Sequence, residues 1–192
     1  NASGSVYVSD NGNHRVQVFT PSGGYVTEWG EPGTGEGQFS YPGGIAVNAS
    51  GYAYVADSNN NRIQVFGPSG TFVRQWGDAG SQAGNFSHPE GIAVNATGYV
   101  YVADQENNRV QVFDASGTYV GLWGEYGLGE GDLYRPQGIA VNTTGFVYMT
   151  DSHQFIHQFT PSGAFMQRWG SPGTGPGQFW NPVGIARNSS GY

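Results

Sequence analysis

Short apolar runs alternate with polar, turn-forming segments along the whole chain, and this pattern predicts β-strands. Between residues 91 and 123 we expect four of them, at 91–94, 99–103, 109–113 and 118–123. The runs are rich in β-branched and aromatic residues, whereas Gly, Asn, Ser and Pro separate them. The run at 99–103 is apolar on both faces, which is typical of a strand covered on both sides. The pattern therefore predicts an all-β protein made of four-stranded antiparallel sheets.

The four-strand unit recurs along the chain at a step of 47 residues. Aspartates and tryptophans mark this step, apart from a last tryptophan that comes one residue early: Asp10, Asp57, Asp104, Asp151, Trp29, Trp76, Trp123 and Trp169. Four-stranded repeats of this length are typical of the blades of a β-propeller. We expect one propeller domain or propeller segment over 1–192, with repeats at 1–47, 48–94, 95–141 and 142–187 and the start of another at 188–192.

The two ends of the chain fall in the same turn of the repeat, so the last predicted strand, at 184–187, has three candidate partners. It could pair with the first blade, with another chain, or with further repeats, because an open strand edge invites strand addition. Four blades is the lower limit for propellers. We therefore favour a segment of a longer propeller, or self-association through open blade edges, over a closed ring of four.

The repeat resembles that of the NHL family, through the run P-x-G-I-A-V-N-x-x-G-x-x-Y-V-A-D-x-x-N-N-R-I-Q-V-F. This family builds β-propellers, commonly of six blades, and the resemblance covers the whole chain in four copies. The fourth copy departs from the pattern at 151–159, where it is one residue shorter and lacks the arginine. We expect the second turn of that blade to be distorted.

The turn D-S-N-N-N-R at 57–62 recurs with small changes in the first and third repeats. Asp and Asn side chains can bond their own backbone and tolerate left-handed conformations, as a tight turn requires. The arginine can pair with the aspartate of its own turn or of a neighbouring blade, which gives three candidate pairs: Asp10 with Arg15, Asp57 with Arg62, and Asp104 with Arg109. A catalytic site has no reason to appear three times in one ring, so we assign these residues a structural role.

The charge balance bears on the choice of partner. The chain has 14 acidic and 7 basic residues, all of the latter arginine, and its net charge is −7. Nucleic-acid binding, known for some NHL proteins, needs a basic surface, so we expect no nucleic-acid partner. The absence of cysteine excludes disulfides and cysteine-based sites, and no apolar run is long enough to span a membrane.

Most of the acidic residues fall in the long loops between repeats or in the second turns, which lie on one face of a propeller. An acidic face would favour a cationic ligand, a metal ion or a basic protein patch. The candidate binding residues on it are Glu90, Gln137, Asp57, Asp104, Glu125 and Glu130.

The first turn of each repeat carries an N-x-[ST] sequence, the acceptor of N-linked glycans. With one more in a long loop, the candidate glycosylation sites are Asn1, Asn48, Asn85, Asn95, Asn142 and Asn188. Such a turn also suits a hairpin without any glycan, but Asp would serve that purpose equally well. Glycans at these positions would place the protein outside the cell or at the cell surface.

Some relatives of this repeat are enzymes, so a catalytic function must be weighed. The resemblance to peptidylglycine-amidating lyases implies zinc-binding histidines beside the proline that opens a blade, but the corresponding residues here are Gly43, Glu90, Gln137 and Val183. Calcium-dependent lactonases use acidic and amide side chains in the central tunnel, to which only Glu90 and Gln137 could contribute. We assign no catalytic residue and no cofactor, and leave calcium and zinc open.

The sequence therefore predicts a non-catalytic, extracellular binding or assembly scaffold that uses an acidic loop face. The alternative is a metal-dependent lyase or lactonase-type hydrolase with its site in the central tunnel.

Overall fold

The computed structural model describes residues 4–186, which fold into four antiparallel sheets that follow one another along the chain. The predictions of an all-β fold and of four-stranded blades are confirmed. Asn1, Asn188, Arg187 and the predicted repeat start at 188–192 lie outside the described residues. Between residues 4 and 186 the only helical segments are two short 3-10 turns, Asn11–Asn13 and Ser58–Asn60. No helix in this part of the chain has the length and apolarity that a membrane crossing requires.

The strands are numbered in chain order and grouped here by sheet, each sheet being one blade. Strand order within every sheet follows the chain, so neighbouring strands are joined by hairpins. The first blade has β1 Val6–Asp10, β2 Arg15–Phe19 and β3 Tyr25–Trp29; the second has β4 Pro42–Val47, β5 Ala53–Asp57, β6 Arg62–Phe66 and β7 Phe72–Trp76; the third has β8 Pro89–Val94, β9 Val100–Asp104, β10 Arg109–Phe113 and β11 Tyr119–Trp123; the fourth has β12 Ile139–Val141, β13 Val147–Thr150, β14 Ile156–Phe159 and β15 Phe165–Trp169.

In the first three blades, the tryptophan at the end of the last strand packs against the next blade. Trp76 lies 5.6 Å from the Phe113 ring of the third blade, and Trp123 lies 5.9 Å from Phe159 of the fourth. The Trp76 ring also covers Gly117, where an added Cβ would lie 2.6 Å from a ring carbon. The 47-residue spacing of the tryptophans therefore reflects one contact repeated at each junction between blades.

The first strands of successive blades pack against each other and line an inner cleft. Gly91 of β8 lies so close to the Gln137 carbonyl group that any side chain would clash, and Gly44 of β4 meets β8 in the same way. Close backbone approach explains why the repeat opens with glycine. This arc of first strands corresponds to the wall of a propeller's central tunnel.

The strand predicted at 184–187 is not formed within the described residues, because 184–186 pair with no neighbouring strand. The segment nevertheless continues the arc, since Gly138, the residue before β12, faces the backbone of Val183 and Gly184. It therefore lies where the first strand of a following blade would lie.

Candidate functional site

The Asp–Arg turn of the second blade is a buried network that fixes the long loop before it. Arg62 Nε donates to Asp57 Oδ2 at 2.7 Å, and the side chains are 8% and 0% exposed. The other guanidinium nitrogens donate to the carbonyl oxygens of Thr34, Gly35 and Gln38 at 2.7 to 2.9 Å. Arginine is suited to this role because its planar group presents five donors in a fixed geometry.

The third blade repeats this network with Asp104 and Arg109, again at 2.7 Å and buried. Because Asp57 and Asp104 are wholly buried and neutralised, they do not contribute to the loop surface. The expectation that these two residues contact a ligand there is therefore corrected. Each of these two carboxylates is bonded to its arginine and to a backbone N–H group, of Ser40 for Asp57 and of Ser87 for Asp104. These contacts bury the carboxylates away from solvent.

The first blade forms a more exposed version of the pair. Arg15 donates to Asp10 at 2.9 Å and to Glu28 at 2.7 Å, with side-chain exposures of 31%, 21% and 42%. Hydrogen bonds from Asn13 and then from Arg15 hold the pKa of Asp10 below its usual value. The hydrogen bond to Asp10 raises the pKa of Arg15. The pair is charged at neutral pH but is well solvated.

The second turn of the fourth blade is rebuilt around a different arginine. Phe155 stands where the other blades have the turn arginine, and Arg168 of β15 reaches across to lie 4.6 Å from its ring centroid. Arg168 donates to the carbonyl oxygens of Leu128 and Gly129 at 3.0 and 3.4 Å. These match the carbonyls that Arg62 binds at Thr34 and Gly35. An arginine from the neighbouring strand thus takes over contacts of the missing one.

The loop at 124–133, between the third and fourth blades, exposes two large apolar side chains, as the loop after the fourth blade does at Trp180. Tyr126 and Leu128 are 68% and 65% exposed, and the exposed Glu125 and Glu130 flank them. Tyr126 packs on Tyr134 at 5.6 Å, and Tyr134 packs on His153 at 4.7 Å. The two positions hold Pro and Thr in the loops of the first and fourth blades and Ala and Ser in that of the second. This departure from the repeat is the sequence signal for Tyr126 and Leu128, which are not among the binding residues predicted from the sequence.

Glu90 and Gln137 lie at the inner cleft, which has a volume of about 290 Å³ and is otherwise lined by Gly, Ile and Val. Glu90 Oε2 is 3.7 Å from His88 Nε2 and 3.4 Å from Ser58 Oγ. Gln137 Nε2 donates to Ser152 Oγ and to Asn181 Oδ1, both at 3.1 Å. Over residues 4–186 no three His, Cys, Asp or Glu side chains are placed to hold one metal ion.

The short first turns lie on the opposite face and are held by their asparagines. Asn95 Oδ1 accepts the backbone N–H groups of Thr97 and Tyr99, and Asn48 and Asn142 do the same in their turns. Asn95 Nδ2, the atom to which a glycan would attach, donates to Tyr101 Oη at 3.3 Å. Asn85 lies apart from these turns, in the long loop before the third blade.

Comparison with known proteins places this architecture in context. The pattern of the NHL repeat matches residues 1–19, 39–66 and 86–113. None of the curated proteins matches the chain significantly in sequence. Three similar solved structures are a streptogramin B lyase, a catalytically inactive histidine-to-alanine variant of virginiamycin B lyase from Staphylococcus aureus with quinupristin, and a nidogen/laminin complex.

The likeness to these structures concerns the fold. Their sequence identities to the chain are 20%, 19% and 18%, and their TM-scores are 0.66, 0.69 and 0.73. They cover 90%, 96% and 97% of this chain, which in turn covers 53%, 56% and 65% of theirs. The chain thus spans little more than half of the two lyases. Three segments of the chain match the NHL repeat, and the sheets of the described residues fold as the blades of a β-propeller.

Proposed function

We propose that this protein is a non-catalytic binding or assembly scaffold whose contact surface is the loop face, centred on the loop at 124–133. The observation that carries the proposal is the exposure of Tyr126 and Leu128 between two glutamates. Protein interfaces are typically built from a few aromatic and apolar anchors surrounded by a polar rim. The edge-to-face contact of Tyr126 with Tyr134 supports the anchor, so little side-chain freedom is lost on binding.

The charges around the anchor indicate the kind of partner. Exposed acids occupy the neighbouring long loops as well, at Glu31, Glu36 and Asp78, and the chain has a net charge of −7. Electrostatic complementarity favours a protein surface with an apolar pocket surrounded by Lys or Arg. The nidogen/laminin complex, a structural neighbour, supports the use of this fold in protein binding.

A defined peptide panel tests the proposal. The probes are peptides of about 15 residues that combine aromatic and aliphatic residues with either several arginines or several glutamates. We expect the basic peptides to bind, and their Kd to rise with salt because the exposed acids are screened. Biolayer interferometry at two salt concentrations measures both effects.

The other loops provide the matched variants. Tyr126→Pro with Leu128→Thr gives these two positions the residues found in the loops of the first and fourth blades, so folding should be preserved. We expect this change to weaken binding by about tenfold or more, as loss of an anchor typically costs over about 1.4 kcal/mol. Pro32→Ala with Thr34→Ala in the first loop should leave binding unchanged. Equal binding of acidic and basic peptides, or unaltered binding by the double variant, would contradict the proposal.

We also propose that the protein is extracellular or at the cell surface and carries N-linked glycans in its short first turns. The support is the run of acceptor sequences on one face, with Asn48, Asn95 and Asn142 half-buried and their following residues exposed. A glycan on Asn95 or Asn142 replaces only a weak bond to a tyrosine hydroxyl, at 3.3 or 3.4 Å. The intact mass of protein from its natural source tests this, since a mass equal to that of the bare sequence would remove it.

The second candidate is a metal-dependent lyase or hydrolase that uses the inner cleft. It is supported by the His88–Glu90 pair, since an imidazole beside a carboxylate is a common acid–base combination, and by the lyases among the structural neighbours. Elemental analysis separates the two functions: stoichiometric zinc or calcium, lost together with Glu90→Gln and Gln137→Ala, would favour the enzyme.

A further inference from the structure

A cleft of about 560 Å³ lies between the third and fourth blades, on the face opposite to the long loops. Its walls are the strand β11 on one side and the fourth blade's short turns at 142–145 and 161–162 on the other. Its lining includes the buried Tyr101, the half-buried Trp123 and the exposed Tyr99. This volume falls in the range of small-molecule sites in proteins.

The cleft is open because Gly121 stands at a position where the other blades have a larger side chain. Gly121 of β11 pairs with Val112, whereas the same register position in the second blade holds Arg74, paired with Val65. The first and fourth blades hold Thr27 and Gln167 there. A Cβ built on Gly121 would meet nothing within 4 Å.

Alternation along the strand shows where that side chain would go. Gly121 is two residues before Trp123, so both point to the same face of β11, the face that packs on the fourth blade. Arg74 has the same relation to Trp76, and its Nε is buried. An arginine therefore occupies this region beside the second blade, and the glycine leaves it open beside the third.

The lining of the cleft is neutral and amphipathic. Among the described residues that form it there is no charged side chain. Aromatic rings and Val112 supply apolar surface, while Thr97, Asn142, Thr144 and Ser162 supply hydroxyl and amide groups around it. Burial raises the pKa of Tyr101, so its hydroxyl stays protonated and available as a hydrogen-bond donor.

We propose that this cleft binds a neutral saccharide of one or two rings. A sugar ring has an apolar C–H face that can lie against Trp123 and Tyr99. Its edge carries hydroxyl groups that can donate to the hydroxyl oxygens of Thr97, Thr144 and Ser162, because the two threonines use their own protons within the turns. Aromatic residues with an apolar body and a polar tip suit such amphipathic ligands. A charged sugar is disfavoured, because its charge would be partly desolvated without a partner. This site is separate from the loop face, so the two proposals can fail independently.

The test uses the full chain produced without N-glycans, since Asn95 and Asn142 both line the cleft. The probes are glucose, galactose, mannose, N-acetylglucosamine and their β-linked disaccharides, compared with glucuronic acid, glucosamine and indole. We expect at least one neutral sugar to bind with a Kd of about 1 mM or lower. Calorimetry measures the affinity, and a change in tryptophan fluorescence reports contact with Trp123.

Two substitutions locate the binding. Gly121→Arg copies the second blade, where arginine is accommodated beside Trp76, and should raise the Kd by more than about tenfold. Tyr99→Ala, at the exposed rim, should weaken binding without filling the cleft, which guards against misfolding of the first variant. Arg74→Gly, on the second blade, should leave the affinity for the sugar at the third unchanged.

Three results would overturn the proposal. They are no binding of any neutral sugar, binding that survives Gly121→Arg in a folded protein, and binding of indole or a charged sugar in preference to the neutral sugars.

Discussion

At the scale of single residues, the turn arginines show that the same sequence motif can form a buried ion pair in one blade and an exposed one in another. Arg62 donates to a buried aspartate and to three carbonyl groups of the preceding loop. Arg15 in the first blade makes ion pairs alone, on a solvated edge. Removing one partner of a buried pair leaves an uncompensated charge, whereas exposed pairs contribute little.

We therefore predict that Arg62→Ala lowers the free energy of unfolding by about 3–5 kcal/mol. The substitution leaves Asp57 buried without its arginine, and it removes the hydrogen bonds to the carbonyl groups of the loop at 30–41. Arg15→Ala, the matched variant in the first blade, should have a much smaller effect. Urea unfolding followed by tryptophan fluorescence measures both, and similar losses for the two variants would contradict the burial argument.

Much of the fold was readable from residues of this kind. Strand β10 has the bounds predicted for it, because the preceding N-N turn fixes its start and the largely apolar run RVQVF fixes its length. The burial of Asp57 and Asp104 was not readable, since a sequence shows the charge of an aspartate but not what surrounds it. The departures at Tyr126, Leu128 and Gly121 were visible once the repeats are aligned, and both proposed binding surfaces depend on them.

At the scale of elements, the fourth blade shows how a hairpin tolerates the loss of its central arginine. In β10, Gln111 accepts from Gly84 N–H and donates to the Asn85 carbonyl group and to Asp104. His157 of β14 stands in the equivalent place and is 99% buried. Its Nε2 is 3.2 Å from Asp151 Oδ2 but is not directed for a hydrogen bond, and Nδ1 has no partner. Arg168 thus restores hydrogen bonds to the loop, but the hydrogen bonds that Gln111 makes in the third blade have no counterpart at His157.

We predict that His157→Gln raises the free energy of unfolding by about 1 kcal/mol, the typical net value of a recovered hydrogen bond. Glutamine is the residue found here in the other three blades, and the corresponding backbone groups belong to Gly131 and Asp132. The reciprocal change Gln111→His should destabilise the third blade, because it leaves Gly84 N–H and the Asn85 carbonyl group unpaired. Thermal unfolding at constant pH measures both, and a stabilising Gln111→His would show that histidine is preferred at this position.

At the scale of the whole molecule, stability depends on contacts between adjacent blades. Each blade packs against its neighbours through one tryptophan and the arc of first strands, so its core is shared with the next blade. Repeat architectures of this kind behave as chains of nearest-neighbour interactions. A change in one junction should therefore couple to its own neighbour and not to a more distant blade.

The junction between the second and third blades allows this to be measured. Trp76 and Phe113 lie 5.6 Å apart, and Trp76 Nε1 has no hydrogen-bond partner, so the contact is one of packing. Replacing each by leucine keeps the core filled and should cost less than the roughly 3–5 kcal/mol typical of truncation to alanine. In a double-mutant cycle we expect an interaction energy of about 0.5–1.5 kcal/mol, as for other aromatic pairs.

The control cycle combines Trp76→Leu with Phe159→Leu, which belongs to the next junction along the chain. Those two changes share no contact, so their effects should add to within about 0.5 kcal/mol. Additivity at the first junction would mean that the tryptophan stabilises its own blade alone. If Trp76 couples to Phe159 as well as to Phe113, interactions extend beyond adjacent blades. Only coupling confined to Trp76 and Phe113 fits a propeller wall in which each sheet is stabilised by the one beside it.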